Sequence, residues 1–297
     1  MQKTVERKLR KAITDKPIPP WKDMWFRLRR NKAAMGGLGF IVLIILLAIF
    51  ADFIADYSTV IDTFPDERLQ PPSLQHIFGT DAAGRDLFHR VIHGARYSLT
   101  FGIVCTLAAI LLGTIFGAAA AYFGGKTDTI ITFIADAIIC IPAILLSLSL
   151  VAILGAGFTN LMIAITVSAV PGFTRIIRAI VLGIVKMDYI EAARAIGVSN
   201  FRIIFVHMLP NAIGLIIVNA TMNVAGLIMA AAGLSFIGMG IQPPAPEWGA
   251  MLTGALTHLR TFPHIVIFPG MAIVLTSLSF NLLGDGLSEA LDPRMKD

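Results

Sequence analysis

The stretch IIFVHMLPNAIGLIIVNATMNVAGLIMAAAGLSFIGMGIQPPAP, residues 203–246, contains 44 consecutive residues without an aspartate, glutamate, lysine or arginine. Four other stretches share this character, at residues 33–51, 97–125, 137–174 and 261–284. A helix of about 20 apolar residues spans the hydrocarbon layer of a bilayer, so each stretch is long enough to cross a membrane. Barrel strands alternate between apolar and polar residues over about 10 positions, and these continuous runs do not. The sequence therefore predicts an all-α, polytopic membrane protein.

The composition of the whole chain agrees with this prediction. Of the 297 residues, 56% are hydrophobic and only 14% are charged, whereas soluble domains contain about 25% charged residues. This composition excludes a disordered chain, a secreted disulfide scaffold and a nucleic-acid-binding protein, despite a net charge of +5. Cys105 and Cys140 lie in apolar stretches without metal-ligand spacing, and we interpret them as packing residues.

Glycine, proline and polar residues divide the apolar stretches into six predicted transmembrane helices. They lie near residues 33–53, 98–123, 129–154, 159–181, 212–236 and 265–283. Lysine and arginine set the orientation, because short basic flanks remain on the cytoplasmic side. Residues 1–32 hold 11 basic residues against three acidic ones, which places the N terminus inside, and six crossings return the C terminus to the same side. A signal peptide is the alternative for a basic N terminus, but this apolar run is too long and no small-residue cleavage site follows it.

This topology divides the chain into five regions. In order, they are a cytoplasmic tail with an interfacial helix (1–32), the first transmembrane helix (33–54), an external loop with an amphipathic segment (55–97), a five-helix core that includes a cytoplasmic segment at 184–211 (98–285), and a cytoplasmic C-terminal tail (286–297). The interfacial helix is predicted because Trp21, Trp25 and Leu28 recur at helical spacing among cations.

The external segment from residue 79 to residue 97 is predicted to form an amphipathic helix at the outer surface. Its apolar side chains are expected to face lipid and its arginines to face water. The apolar set is Leu87, Val91 and Ile92, and the basic set is Arg85, Arg90 and Arg96.

The cytoplasmic stretch DYIEAARAIGVSNFRIIFVHMLPN, residues 188–211, predicts two short helices joined by a turn. Alanines favour a helix through Glu191 and Ile196, and Gly197 supplies its C-terminal stop. Ser199 or Asn200 can cap a second helix that runs toward Pro210. From the pattern alone, a solvated connector is as good an interpretation as a docking segment.

This stretch resembles the EAA motif of binding-protein-dependent ABC importer permeases. The motif begins with E-A-A, followed after three residues by G. After nine more residues comes a position that is often isoleucine, then one further residue and L-P. The matching residues are Glu191, Ala192, Ala193, Gly197, Leu209 and Pro210. His207 stands where the broad consensus often has isoleucine, a variation similar to that of the peptide-permease branch.

Three further segments resemble the dipeptide, oligopeptide and nickel permease family. GTDAAGRDLFHRVIHGARYSL, residues 79–99, is similar to the segment that precedes the family's second helix, with His89 in place of the usual serine. LSFIGMGIQPPAPEWGAML (234–252) and NLLGDGLSEALDPRMKD (281–297) are similar to its outer loop and C-terminal signature. The N-terminal tail followed by a single helix resembles the C-type subunit of that family.

The resemblance implies a type I ABC importer permease-like fold in the plasma (inner) membrane. It implies that a second, non-identical permease completes the path, that two cytoplasmic ATPases bind ATP and Mg, and that an external binding protein delivers the cargo. The segment that contacts an ATPase is then Glu191, Ala192, Ala193, Arg194, Gly197, Leu209 and Pro210, and Arg85 and Trp248 are expected to serve external docking. This chain is expected to bind no cofactor, because a phosphate-binding loop at Gly125 needs a glycine where Ala120 stands.

Asp136 is an acidic residue inside a predicted helix, and two interpretations are open. It could relay protons in a gradient-driven secondary transporter, or it could pair with Arg175 or Arg178 at the foot of the fourth helix; we favour the pair. Peptides are the expected cargo, with nickel or a metal chelate as the alternative. His89 and His93 are four residues apart and could share a metal, but two histidines without a third ligand are a weak signal.

Overall fold

The computed structural model describes residues 20–291. Much of the two predicted cytoplasmic tails, namely residues 1–19 and 292–297, lies outside the described residues, as does the side chain of Trp21. Regular structure in residues 20–291 is helical, apart from a single bridge between Thr80 and Asp86.

Twelve helices, numbered here in chain order, form this part of the chain. They are α1 (Pro20–Leu28), α2 (Lys32–Ile49), α3 (Ala51–Ile54), α4 (Tyr57–Ile61), α5 (Leu87–Phe123), α6 (Gly125–Ile139), α7 (Ala143–Leu154), α8 (Phe158–Val185), α9 (Asp188–Ala195), α10 (Asn200–Phe236), α11 (Trp248–Ala255) and α12 (His264–Leu291). Short 3₁₀ turns lie at Pro65–Glu67 and Leu256–His258. Five helices, α2, α5, α8, α10 and α12, are long and apolar enough to cross a membrane.

The expected third span, 129–154, is not one helix. It consists of α6 and α7, which meet at an angle of 84°. Pro142 lies at the break with extended backbone (φ −52°, ψ 128°). Proline has no N–H for the helical ladder and disfavours helical geometry in the residue before it, so a sharp bend at this position is expected.

Contacts at the helix ends show that this bent pair crosses from one side to the other. At the end of α5, Tyr122 donates to Asn200, so the start of α6 lies on the same side as α9. The start of α8 lies at the opposite side, where Phe158 contacts Tyr97 and Phe101. The chain must therefore cross between residues 124 and 157, which gives six crossings in the described part.

The two ends of the described chain also meet. Asn31, which caps the start of α2, donates from its side-chain nitrogen to Glu289 near the end of α12 at 2.8 Å. An even number of crossings is required for this contact, in agreement with six spans.

Glycines allow the central helices α5 and α8 to touch closely. A Cβ on Gly113 would lie 2.6 Å from the Phe173 side chain, and one on Gly117 would lie 2.6 Å from the Thr174 carbonyl oxygen. The two glycines are four residues apart on one face, which is the spacing that favours close crossing of membrane helices.

The outer part of α5 corrects the amphipathic prediction. Asp86 caps the helix by accepting from the His89 N–H at 3.0 Å, so α5 begins eleven residues before the predicted span. Leu87, Val91 and Ile92 are buried by protein rather than exposed to lipid. Arg90 is only 3% exposed and donates to the carbonyl oxygens of residues 60 and 244. The loops that contain residues 60 and 244 cover the first turns of α5. The helical pattern of apolar residues does not show whether protein or lipid covers them.

Candidate functional site

Helix α9, in the segment predicted to be cytoplasmic, ends as the sequence predicts. Gly197 adopts φ +78°, and its N–H donates to the Arg194 carbonyl while the Val198 N–H donates to the Ala193 carbonyl, both at 3.0 Å. These two bonds form the Schellman motif, and glycine adopts the left-handed conformation at C′ without the steric cost of a Cβ. The turn therefore fixes the direction in which the chain leaves α9.

One face of α9 is buried and the other is exposed. Ile190 and Ala193 lie in a buried apolar cluster with Ile184, Ile203 and Met208. Glu191, Ala192 and Arg194 are exposed on the other side. Of the matched alanines, Ala193 therefore serves packing, and Ala192 is accessible to a partner.

A polar and aromatic contact fixes this segment to α5. The Arg194 guanidinium lies 4.8 Å from the centre of the Tyr122 ring, and the Tyr122 hydroxyl donates to the Asn200 side-chain oxygen at 2.7 Å. A guanidinium over an aromatic ring is an attractive cation–π arrangement. The sequence reasoning missed Tyr122; the signal was a single polar aromatic residue at the cytoplasmic end of an apolar run.

The second predicted helix does not stop near Pro210. It is the beginning of α10, which continues to Phe236 and contains a π-helical turn at Ile203–Met208. The N–H of Leu209 donates to the Ile204 carbonyl, five residues earlier. A wider turn before Pro210 relieves the clash between the proline ring and the preceding turn, so the helix tolerates the proline.

Large apolar side chains are exposed around α9 and the start of α10. Ile196 is 81% exposed and Phe201 is 71% exposed, and the Phe201 ring lies 4.3 Å from the Phe205 ring. Val206 and Met187 are also exposed. On the predicted cytoplasmic side there is no lipid to cover them, and exposed apolar patches of this kind mark protein interaction surfaces. We call this surface, Glu191, Arg194, Ile196, Phe201 and Phe205, the cytoplasmic patch.

The intramembrane acid Asp136 lies 3.4 Å from the Arg175 guanidinium, and both side chains are more than half exposed. Arg178, the other expected partner, is bonded to Asp128 instead, through two contacts of 2.5 and 2.6 Å. The structure thus brings Asp136 to Arg175 and separates it from a direct bond with Arg178. Asp128 joins the foot of α6 to α8, a role that the sequence reasoning did not assign.

The external residues Arg85 and Trp248 lie deeper than expected. Arg85 is mostly covered and donates to Asp81 at 2.8 Å. Trp248 is fully buried, and its indole N–H donates to the Val91 carbonyl at 2.9 Å. Because this chain covers Trp248 completely, its side chain is not accessible for the external docking that was expected of it.

Glu247, next to Trp248, was missed by the sequence reasoning. It is 1% exposed, and its carboxylate accepts from the N–H groups of Gly249 and Ala250 at 2.9 and 2.8 Å, which caps α11. Burial raises the pKa of this carboxyl above its ordinary value, and the two backbone donors oppose that shift. The sequence signal was an acid directly before a short apolar helix.

His89 and His93 do not form a metal site together. His93 is buried and contacts the Ala55 carbonyl at 2.9 Å, while His89 lies beside Asp86. No group of three or more His, Cys, Asp or Glu side chains among residues 20–291 is arranged to hold a metal ion. Polar side chains in the helices mostly join helices or bond within them, as where the Ser147 hydroxyl contacts that of Ser168 at 2.9 Å.

Comparison with protein families gives two matches. Residues 94–297 match the family described as binding-protein-dependent transport system inner membrane component. Residues 19–72 match the N-terminal TM domain of oligopeptide transport permease C.

Two relatives are similar along almost the whole chain. The dipeptide transport system permease protein DppC of Alkalihalophilus pseudofirmus is 44% identical over 279 residues, which cover 94% of this chain and 91% of that protein. The glutathione transport system permease protein GsiD of Escherichia coli is 43% identical over 282 residues, which cover 95% and 93% of the two chains.

Among solved structures, the fold is similar to a chain of the MetNI methionine ABC transporter in inward-facing conformations. In one crystal form the TM-score is 0.56 with 21% identity, and the match covers 68% of this chain and 97% of that chain. In a second form the TM-score is 0.57. At this identity the likeness describes the fold alone.

Proposed function

The chain belongs to the family of binding-protein-dependent transport system inner membrane components, and from this membership we propose that it is the C-type permease of an ATP-driven importer of di- or oligopeptides. It is the membrane component of such an importer and not its ATPase. ATP and Mg are bound by the partner subunits, so this chain contributes the path and the mechanical contact.

The cytoplasmic patch is the observation that carries this proposal. It combines an exposed acid, an exposed arginine and large exposed apolar side chains on a segment fixed to α5 and α8. A groove on one cytoplasmic ATPase can receive the apolar side chains, while Glu191 pairs with a basic residue of that ATPase. Such charge pairs contribute most where the interface excludes water.

Two further partners complete the proposed importer. A second, non-identical permease lies beside this chain and shares the translocation path. An external binding protein delivers cargo to the outer surface; with Trp248 buried, that surface is formed by other groups of the two external loops. Arg85 belongs to the frame of this surface through its bond with Asp81.

Peptides are the proposed cargo because both relatives are named for peptide transport: one for dipeptides, and one for glutathione, which is itself a tripeptide. No observation in the described residues favours nickel, since His89 and His93 contact different groups. Competition of labelled dipeptide uptake by unlabelled dipeptides, oligopeptides, glutathione and nickel would identify the cargo. Competition by nickel alone would contradict the peptide assignment.

Glu191→Lys is expected to abolish uptake while leaving membrane insertion intact, because the reversed charge repels the basic residue of the ATPase at the docking contact. The measurement is co-purification of the ATPases and the second permease with the detergent-solubilised chain, together with uptake. The control for ATPase retention is Asp66→Lys, the same charge reversal at an exposed position of the predicted external loop, on the side opposite the ATPase contact. Normal uptake by Glu191→Lys, or failure of the wild-type chain to retain any ATPase, would contradict the proposal.

A further inference from the structure

A cleft lies between α1, the start of α2 and the end of α12, on the predicted cytoplasmic side. It has a volume of about 390 Å³ and is lined by Arg27, Arg30, Asn31, Gly286, Glu289 and Ala290. We call it the α1–α12 cleft. Its volume falls within the range of about 300–1,000 Å³ that is usual for ligand sites.

Helix α1 is held against the protein by its apolar face. Leu28 is buried in a cluster with Ala34, Val218 and Leu287, and Met24 packs against it. Leu28, which shares the helical spacing of Trp21 and Trp25, is therefore covered by protein. This packing fixes α1 beside α12 and leaves the cleft open between them.

The opposite side of α1 presents aromatic rings and cations together. Trp25 is 44% exposed and Phe26 is 58% exposed. The Arg30 guanidinium lies 4.5 Å from the centre of the Phe26 ring, and that of Arg29 lies 6.0 Å from the centre of the Trp25 ring. Aromatic rings beside basic side chains are typical of helices that lie at the headgroup level of a membrane.

The charge balance favours an anionic occupant. Residues 22–32 contain five basic residues and one acidic residue. In the cleft itself, Arg27 is paired with Asp23 at 3.2 Å and the Glu289 carboxylate accepts from the Asn31 side chain, so Arg30 is the cation that an anionic occupant would meet. Residues 1–19 are a poor occupant, because they carry six basic residues against two acidic ones and would be repelled.

We infer that the α1–α12 cleft binds the headgroup of an anionic phospholipid of the cytoplasmic leaflet. The phosphate diester accepts from Arg30, since guanidinium groups bind phosphate through paired donors. The acyl chains continue past Trp25 and Phe26 into the bilayer. Basic pockets beside transmembrane helices on this side of a membrane are suited to acidic lipid headgroups.

The test uses the purified full chain in nanodiscs of phosphatidylcholine with phosphatidylglycerol, and native mass spectrometry counts the lipid that stays bound after transfer to detergent. Wild type is expected to retain phosphatidylglycerol in preference to phosphatidylcholine. Arg30→Gln is expected to weaken that retention about fivefold, which corresponds to about 1 kcal/mol per charge near an anionic surface. Arg30→Lys should restore part of it, and Lys126→Gln, which removes an exposed charge elsewhere on the cytoplasmic side, should have no effect.

Three outcomes would overturn the inference. One is equal retention of both lipids by wild type, and another is equal loss in Arg30→Gln and Lys126→Gln. The third is displacement of the lipid by inorganic phosphate or a chain-free glycerophosphate, which would assign the cleft to a soluble anion. If Arg30→Gln does not fold, the preference of the wild-type chain between the two lipids and the phosphate competition still decide the matter.

Discussion

The buried carboxyl of Glu247 is expected to make the stability of the loop at residues 238–264 depend on pH. Its pKa is raised by burial, so the folded protein holds this proton more tightly than the unfolded chain. The stability from this difference is fully present below the ordinary carboxyl pKa of about 4.3 and is lost as pH rises through the folded pKa. The half of the molecule that contains Glu247 is therefore expected to gain stability on acidification.

We expect the melting temperature of wild type, relative to that of Glu247→Gln, to fall as pH rises above about 4.3, because the glutamine does not titrate. The measurement is thermal unfolding of the detergent-solubilised chain across this pH range. Asp66→Asn, which removes an exposed acid of the external loop, should give a curve parallel to wild type. Parallel curves for Glu247→Gln and wild type would show that this carboxyl does not contribute.

Single residues also mark the limit of what the sequence could predict. The stop at Gly197 follows from its own backbone preference, and the structure has it at φ +78°. The burial of Trp248 and Arg90 depends on which loop covers which turn. A tryptophan at a membrane surface and an arginine in an amphipathic pattern look the same in sequence whether lipid, water or protein surrounds them.

At the scale of helices, the contact of α5 with α8 depends on two glycines. Alanine normally stabilises a helix by about 1 kcal/mol relative to glycine. At Gly117, however, the added Cβ would lie 2.6 Å from the Thr174 oxygen and 2.9 Å from the Arg178 backbone nitrogen. Backbone atoms cannot rotate away, so the two helices would have to separate.

Gly117→Ala is therefore expected to lower the free energy of unfolding by about 1–3 kcal/mol, the usual cost of overpacking. Gly172→Ala is the matched control on α8, because a Cβ there meets nothing within 4 Å and should be neutral or stabilising. Chemical unfolding in detergent would measure both. Equal effects of the two changes would show that the helices can part at no cost.

The helices themselves were largely predictable, because apolar runs are a direct consequence of the lipid environment. The predicted spans near 33–53 and 212–236 correspond to α2 and α10. Pro142 was visible in the sequence, but its effect on the third span depends on whether neighbouring helices support a straight path. Helix α5 begins as early as Leu87 because the Asp86 side chain caps it. Hydropathy alone does not identify a capping residue.

At the scale of the whole molecule, the source of energy separates the two transport classes. Asp136 is paired with Arg175 at 3.4 Å within this chain, and acids inside membrane-spanning segments are usually paired in this way. A proton relay would make this acid indispensable. An ATP-driven importer needs it only as a minor contact between α6 and α8.

Asp136→Asn is thus expected to leave ATP-driven uptake in place. Asp128→Asn should be more damaging to stability, because it leaves Arg178 without its two-point partner. Uptake would be measured after collapse of the proton gradient and, separately, after ATP depletion, and only the second treatment should stop it. Loss of uptake on collapse of the gradient with ATP present would favour the proton relay through Asp136.

The position of the α5–α8 crossing affects the size of any motion. Gly113 and Gly117 lie about 12 Å from the cytoplasmic end of α5 and about 42 Å from its outer end, at 1.5 Å per residue. A rigid rod that pivots at such an off-centre point moves its far end about three and a half times as far as its near end. A rotation of α5 about this crossing that moved Tyr122 by a few tenths of an ångström would therefore move the other end of α5, where it supports the loops that enclose Trp248, by about one ångström.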